Sequence, residues 1–143
     1  GGDLRLLVAG YSGTPLAKKL GIKVDGRVFV AHAPKNYRTL LAPLPNGVKM
    51  LARIAADTDI AHLFLTRRDD LARELKAVLG KIPEDCAIWV SWPKKSSKVP
   101  TDITEDTIRD LALPLGLVDI KVCAVDEIWS GLKLVIRKAN RKA

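Results

Sequence analysis

Two apolar runs, Ile60 to Leu65 (IAHLFL) and Ala87 to Trp92 (AIWVSW), constrain this chain more than any other feature. A strand with one wet face alternates apolar and polar residues, whereas a strand covered on both faces reads as a near-continuous apolar run. Between the two runs, Leu71, Leu75, Val78 and Leu79 fall at helical spacing, with Asp69 and Asp70 in the first turn and Gly80 as a stop. Thr66 is placed to cap that helix. Strand, amphipathic helix, strand is the pattern of a parallel crossover, and it predicts helices on both faces of a sheet.

The flanking segments fit the same sheet. Arg27 to Ala31 (RVFVA) is β-branched and aromatic, bounded by Asp25-Gly26 and Pro34, and reads as a strand. Thr14-Pro15 opens a short helix through Leu20, with Thr14 as cap and Gly21 as the left-handed stop. Asn36 to Ala42 reads as a helix ended by Pro43, and the weak alternation of Val48 to Ile54 as an edge strand. Thr104 caps a helix with Ile108, Leu111, Ala112 and Leu115 on one face, and Pro114 should distort its last turn before Gly116. Ile120 to Val125 and Leu132 to Ile136 are strands joined too closely for a crossover, so they pair antiparallel. The expected fold is a single α/β domain of three layers, with a mostly parallel sheet and a C-terminal antiparallel hairpin strand.

The 143 residues suffice for one domain, residues 1–8 being read as a tag remnant or flexible start and residues 138–143 as a basic tail. No apolar run approaches the roughly 18 residues of a membrane span, so a cytoplasmic protein is expected, with no membrane partner. Cys86 and Cys123 sit in or beside strand patterns and read as small buried thiols. With two histidines far apart and no Cys-x-x-Cys, no metal is expected. The net charge of +8 invites nucleic acid, but the cations are spread along the chain. Aromatic residues that could stack bases beside them are scarce, which argues against that partner.

In open α/β sheets, ligands sit beyond the carboxyl ends of the strands. That edge gathers His32 and Lys35, then Arg67 and Arg68, then Lys94, Lys95, Ser96, Ser97 and Lys98. These cations and hydroxyls suit a phosphate, carboxylate or nucleotide, and the helices after Thr66 and Thr104 should aim amide groups the same way. Two secondary candidates are weighed beside this rim. Tyr11, Ser12 and Thr14 form a loop feeding a helix, with Ser12 as a possible nucleophile, although Thr14 is accounted for as a cap. Asp126 with Trp129 is expected to be a hairpin, Asp126 bonding turn amides while Trp129 packs over the sheet. His62, inside an apolar strand, is expected to be a hydrogen-bonded core residue. Trp89 and Trp92 should face opposite sides of the sheet, with Trp92 a candidate pocket wall beside Pro93.

From Ile60 onward the order of elements resembles the second half of a Rossmann-like methyltransferase. That resemblance implies a nucleotide-like cofactor at a glycine-rich turn after the first strand. The corresponding turn, Ala31 to Asn36, carries no glycine, so no cofactor is expected. The segments Ala9 to Gly21, Trp89 to Lys95, Thr101 to Asp106, Gly116 to Cys123 and Trp129 to Leu132 resemble an uncharacterised bacterial family, a domain of unknown function. That family implies a bacterial origin and brings no catalytic residue with it. The functional expectation is a non-catalytic module binding an anionic small molecule or a partner protein at the basic loop. The alternatives are a degenerate methyltransferase-like enzyme, then non-specific nucleic-acid binding.

Overall fold

The computed structural model describes residues 13–141. Six strands form one sheet in the order β2-β1-β3-β4-β6-β5. They are β1 (Arg27–Ala31), β2 (Lys49–Leu51), β3 (Ile60–Phe64), β4 (Ala87–Pro93), β5 (Leu117–Ala124) and β6 (Trp129–Ile136). The pairs β1–β2, β1–β3 and β3–β4 are parallel, while β6 runs antiparallel to both β4 and β5. The C-terminal hairpin therefore does not simply add to the edge. Its second strand inserts beside β4 and pushes β5 outside.

The helices are α1 (Leu16–Leu20), α2 (Tyr37–Leu41), α3 (Arg68–Leu79) and α4 (Glu105–Ala112). Because side chains alternate along a strand, each buried strand feeds two cores. Ala61, Leu63, Ile88, Val90 and Trp92 pack with Leu71 and Leu75 of α3 and Ile108 and Ala112 of α4. Val28, Ile60, Phe64 and Trp89 pack with Leu16, Ala17 and Leu20 of α1 and Tyr37 and Leu41 of α2. Trp89 and Trp92 thus lie on opposite faces as their spacing requires. Trp92 is buried against the α3 and α4 layer.

At five residues α1 is too short to persist alone in water. It is held by its three buried apolar side chains and by the Trp89 indole, which donates to the Leu20 carbonyl at 3.0 Å. The helix starts one residue later than its Thr-Pro signal suggests. Pro15, extended at ψ 143°, occupies the capping position, and no side chain caps there. Gly21 closes the helix at φ 83°.

The expected Thr66 cap is also corrected. Arg67 precedes α3 with no side-chain cap of its own, and Asp102, 34 residues away, accepts the Arg68 amide at 2.6 Å. Thr66 instead offers its carbonyl to the Thr101 hydroxyl at 2.7 Å and the Asp102 amide at 3.2 Å. The long connection after β4 is thereby tied across the start of α3. Thr104 caps α4 as expected, exchanging bonds with Thr107 in a capping box. Pro114 converts the end of that helix to a 3-10 turn, Leu113–Leu115, before Gly116 at φ 87°.

The edge strand expected at Val48 to Ile54 shortens to the three residues of β2, and both hairpin strands lengthen to eight. Part of the basic tail folds as a 3-10 turn, Lys138–Asn140, with the Asn140 side-chain Nδ2 donating to the Gly116 carbonyl at 3.4 Å.

Candidate functional site

Strand order reverses between β1 and β3, because the chain leaves β1 for β2 on one side and resumes with β3 and β4 on the other. At such a reversal the loops after two adjacent parallel strands diverge and open a crevice. The corresponding position here is between residues 32–36 after β1 and residues 65–67 after β3. The basic loop, residues 94–98, follows β4, the next strand over. At about 4.8 Å per strand, the three loops stand within roughly 10 Å of one another along the sheet edge. β6 is antiparallel and starts at the same edge, with Trp129 in register with Pro93.

The cations expected at this edge are therefore brought to one side of the sheet. Lys35, Arg67, Arg68, Lys95 and Lys98 are exposed, and Lys94 is half-buried. His32 takes a left-handed φ of 59° and pairs through Nε2 with Glu74 of α3 at 2.9 Å. That bond straps the loop after β1 onto the helix after β3. Arg67 reaches Asp102 only at 3.9 Å, and both side chains are more than half exposed, so the pair adds little.

The basic loop is more ordered than a lysine-rich stretch suggests. Residues Lys95–Ser97 form a 3-10 turn. The Ser97 hydroxyl donates to the Lys94 carbonyl at 2.6 Å and accepts the Val99 amide at 3.2 Å. Lys98 closes the turn at φ 60°, and the Lys94 amide binds the Ile128 carbonyl of the hairpin at 2.7 Å. Ser97 is thus committed to the backbone, while Ser96 is exposed. The helix N-termini expected to add positive potential are committed too. Asp102 fills that of α3, and Thr104 fills that of α4.

Asp126 and Trp129 behave as a hairpin. The Asp126 carboxylate accepts the amides of Ile128 and Trp129 at 2.9 and 2.7 Å, and Trp129 meets Phe64 edge-on with ring centres 5.1 Å apart. Thr14 lies at the end of α1 farther from Gly21 and is half-buried. Tyr11 and Ser12 lie outside the described residues.

A second cluster lies in the core beneath this edge. The Tyr37 hydroxyl is 2.8 Å from His62 Nδ1, and His62 Nε2 is 2.7 Å from Ser91 Oγ. His62 and Ser91 are wholly buried. Burial holds the His62 pKa down at about 3, and it pushes the Tyr37 hydroxyl up. The imidazole is therefore neutral at physiological pH, with one ring nitrogen donating and the other accepting. A nucleophile needs access to its substrate. Ser91 has none, so the trio acts as a polar pin joining α2, β3 and β4. Ser91 interrupting one apolar run and His62 the other was the sequence signal for it. Tyr37 has no such signal.

A cavity lies elsewhere. About 420 Å³ in volume, it opens at the opposite edge, where the parallel strands begin, lined by the α1–β1 connection and by Asp59, Asp85 and Lys133. The fold rule and the cavity thus point to opposite edges of the sheet. For a nucleotide-type ligand the strand C-terminal edge carries more weight, because only there do loops diverge at a reversal of strand order.

No family model matches the chain, and no curated protein matches its sequence. Solved structures do. A SAM-dependent methyltransferase from Aquifex aeolicus superposes with TM-score 0.55 at 14% identity, over 94% of this chain and 92% of that one. The DhpI–SAH complex superposes with TM-score 0.54 at 12% identity, over 95% and 90%. A protein of the NADB-Rossmann superfamily from Streptococcus agalactiae gives 0.52 at 9% identity, over 90% and 71%. The fold is Rossmann-like. At these identities the likeness is one of architecture, and it extends the resemblance expected from Ile60 onward to nearly the whole chain.

Proposed function

We propose that this chain is a methyltransferase-like protein that takes an adenosyl-type ligand in the crevice between residues 32–36 and 65–67. The carrying observation is the reversal of strand order between β1 and β3, with both loops emerging at one edge. Solved neighbours described as SAM-dependent or as an SAH complex support the ligand class. The glycine-free loop alters how such a ligand would be held. Where a glycine would let backbone approach the ligand, His32 adopts the glycine-like φ but projects an imidazole toward Glu74. Side chains must then replace a backbone cradle, with Lys35 and Arg67 facing the ligand's carboxylate and Lys94 and Lys95 facing an acidic second substrate.

Calorimetric titration with adenosylhomocysteine and adenosylmethionine tests this reading. Saturable binding that weakens in Lys35→Ala and Arg67→Ala is expected. Absence of heat from both nucleosides overturns it.

A second reading is a non-catalytic module that binds an anionic small molecule or a protein partner at Lys94–Lys98. It is favoured by the fixed geometry of that loop, in which Ser97 bonds both Lys94 and Val99. Thermal shifts produced by phosphorylated metabolites and abolished by combined Lys94→Ala and Lys95→Ala would select it. Shifts that persist in that variant would remove those lysines from any site.

A further inference from the structure

The cavity at the strand N-terminal edge belongs neither to the crevice nor to the basic loop. Its floor is apolar: Ile60 and Ala87 are register partners across β3 and β4, with the wholly buried Val28 paired to Ile60 on β1. Leu20 and Ile22 close it from the α1 side. At about 420 Å³ it falls in the range of small-molecule sites, which run from about 300 to 1,000 Å³.

Charge is arranged around this floor in a definite way. Lys133, half-buried on β6, has no ion-pair or hydrogen-bond partner among the described residues, and its Nζ lies 3.9 Å from where a Cβ on Gly21 would stand. Asp59 and Asp85 come from the turns before β3 and β4. Asp59 spends one oxygen on the Arg27 amide at 2.9 Å, and Asp85 has no hydrogen-bond or ion-pair partner among the described residues. Both aspartates line the cavity and both are exposed. Two lysines, Lys23 and Lys133, balance the two aspartates in the lining. An anion or a cation of net charge would meet a repelling group here. A molecule carrying both signs would not.

We infer that this cavity binds a small zwitterion of the amino-acid class, its carboxylate on Lys133, its ammonium facing Asp85 and Asp59, and its apolar side chain on the floor of Ile60 and Ala87. The polar groups fix orientation while the floor supplies apolar contact, the usual division of labour in small-ligand sites. Losing one charged partner from a desolvated pair leaves the other unpaired, so each charged end of the ligand should matter.

The test is calorimetric titration of the full chain with glycine, alanine, leucine and phenylalanine, followed by leucinamide and N-acetylleucine. Saturable binding is expected for leucine or phenylalanine, weakened at least about tenfold when either terminus is blocked. Lys133→Met should weaken it similarly with the far-ultraviolet spectrum unchanged. Asp85→Asn, an exposed site that does not threaten folding, is the second variant and should also weaken it. No saturable binding for any of the four amino acids overturns the inference, as does equal binding of free and blocked leucine. Excess adenosine, which carries the nucleoside but no amino-acid end, should leave leucine binding intact. Competition would place the amino acid in the opposite crevice and likewise overturn a separate site.

Discussion

His62 Nε2 and Ser91 Oγ lie 2.7 Å apart between adjacent parallel strands, each wholly shielded from water. Tyr37 completes the contact from α2, so every polar atom in the trio finds a partner inside the core. Buried polar groups that are fully paired specify one arrangement, and the same groups half-paired are costly. The pin fixes α2, and with it the loop 32–36 that leads into it.

The first consequence is a pH dependence. The folded-state pKa of His62, about 3, lies below the value near 6.5 of the unfolded chain. Between those values the unfolded state binds more protons, so His62 lets stability stand in full above about pH 6.5 and erodes it as pH falls toward 3. The slope is on the order of 1.4 kcal/mol per pH unit inside the window. Urea melts at half-unit steps from pH 7 to 4 check it. A midpoint that stays flat in wild type would refute the buried neutral imidazole, and His62→Gln should flatten it.

Removing either hydroxyl strands one ring nitrogen in a dry site. Ser91→Ala and Tyr37→Phe should each destabilise by about 1–3 kcal/mol. Tyr37→Phe also keeps the ring contacts with His62 and Phe64, whose centres both lie 5.4 Å away, so its loss isolates the hydroxyl. Chemical denaturation measures both, and a Tyr37→Phe protein as stable as wild type would remove the bond from the account.

The alkaline side carries the opposite sign. Burial pushes the Cys86 thiol up to about 12, helped by the negative charges of Asp59 and Asp85, and Tyr37 is raised by burial as well. Above pH 9 the unfolded chain releases these protons while the folded one retains them, so stability declines as pH rises. Cys86→Ser or Cys86→Ala should shallow that decline. An identical alkaline slope in both variants would exclude the thiol.

The sequence made the sheet legible because its central strands are covered on both faces, and only apolar residues tolerate that. It also made the α3 and α4 faces legible, since amphipathic spacing follows directly from helix geometry. The insertion of β6 between β4 and β5 was not readable, because a hairpin of this length satisfies its backbone bonds in either position. The placement of Lys94 to Lys98 and of His32 at the strand C-terminal edge was legible, since it follows from the strand order. Glu74 was missed, and Asp102, read as a helix-start residue beside Thr104, caps α3 instead, because nothing local marks a carboxylate that bonds a group more than 30 residues away. Lys133 reads as an ordinary strand lysine until the cavity beneath it is seen.

Gly131 tests how tightly β6 is pressed against that core. A Cβ there would sit 3.3 Å from the buried Trp89 ring and from Val125, and 3.4 Å from Cys123 Sγ. All three belong to one packed face, so none can yield freely. Gly131→Ala should cost about 1–3 kcal/mol from overpacking. A thermal midpoint equal to wild type would show the face to be looser than this geometry.

Asp102 settles whether the start of α3 is a binding group or a structural one. Its carboxylate accepts the Arg68 amide at 2.6 Å and places a negative charge beside Arg67, at the mouth of the proposed crevice. A residue in this capping role is worth about 0.5–2 kcal/mol, so Asp102→Ala should lower stability by that amount. The same change exposes a helix N-terminus and removes a charge that repels anions, both of which favour an incoming phosphate or sulfate. Stability of the variant should therefore recover as sulfate is added, by more than wild type gains under the same salt. Chloride at equal ionic strength serves as the control, since it screens without matching the geometry of the amides. Recovery equal in both salts would leave Asp102 a cap and nothing more, and would remove the α3 N-terminus from the anion-binding edge.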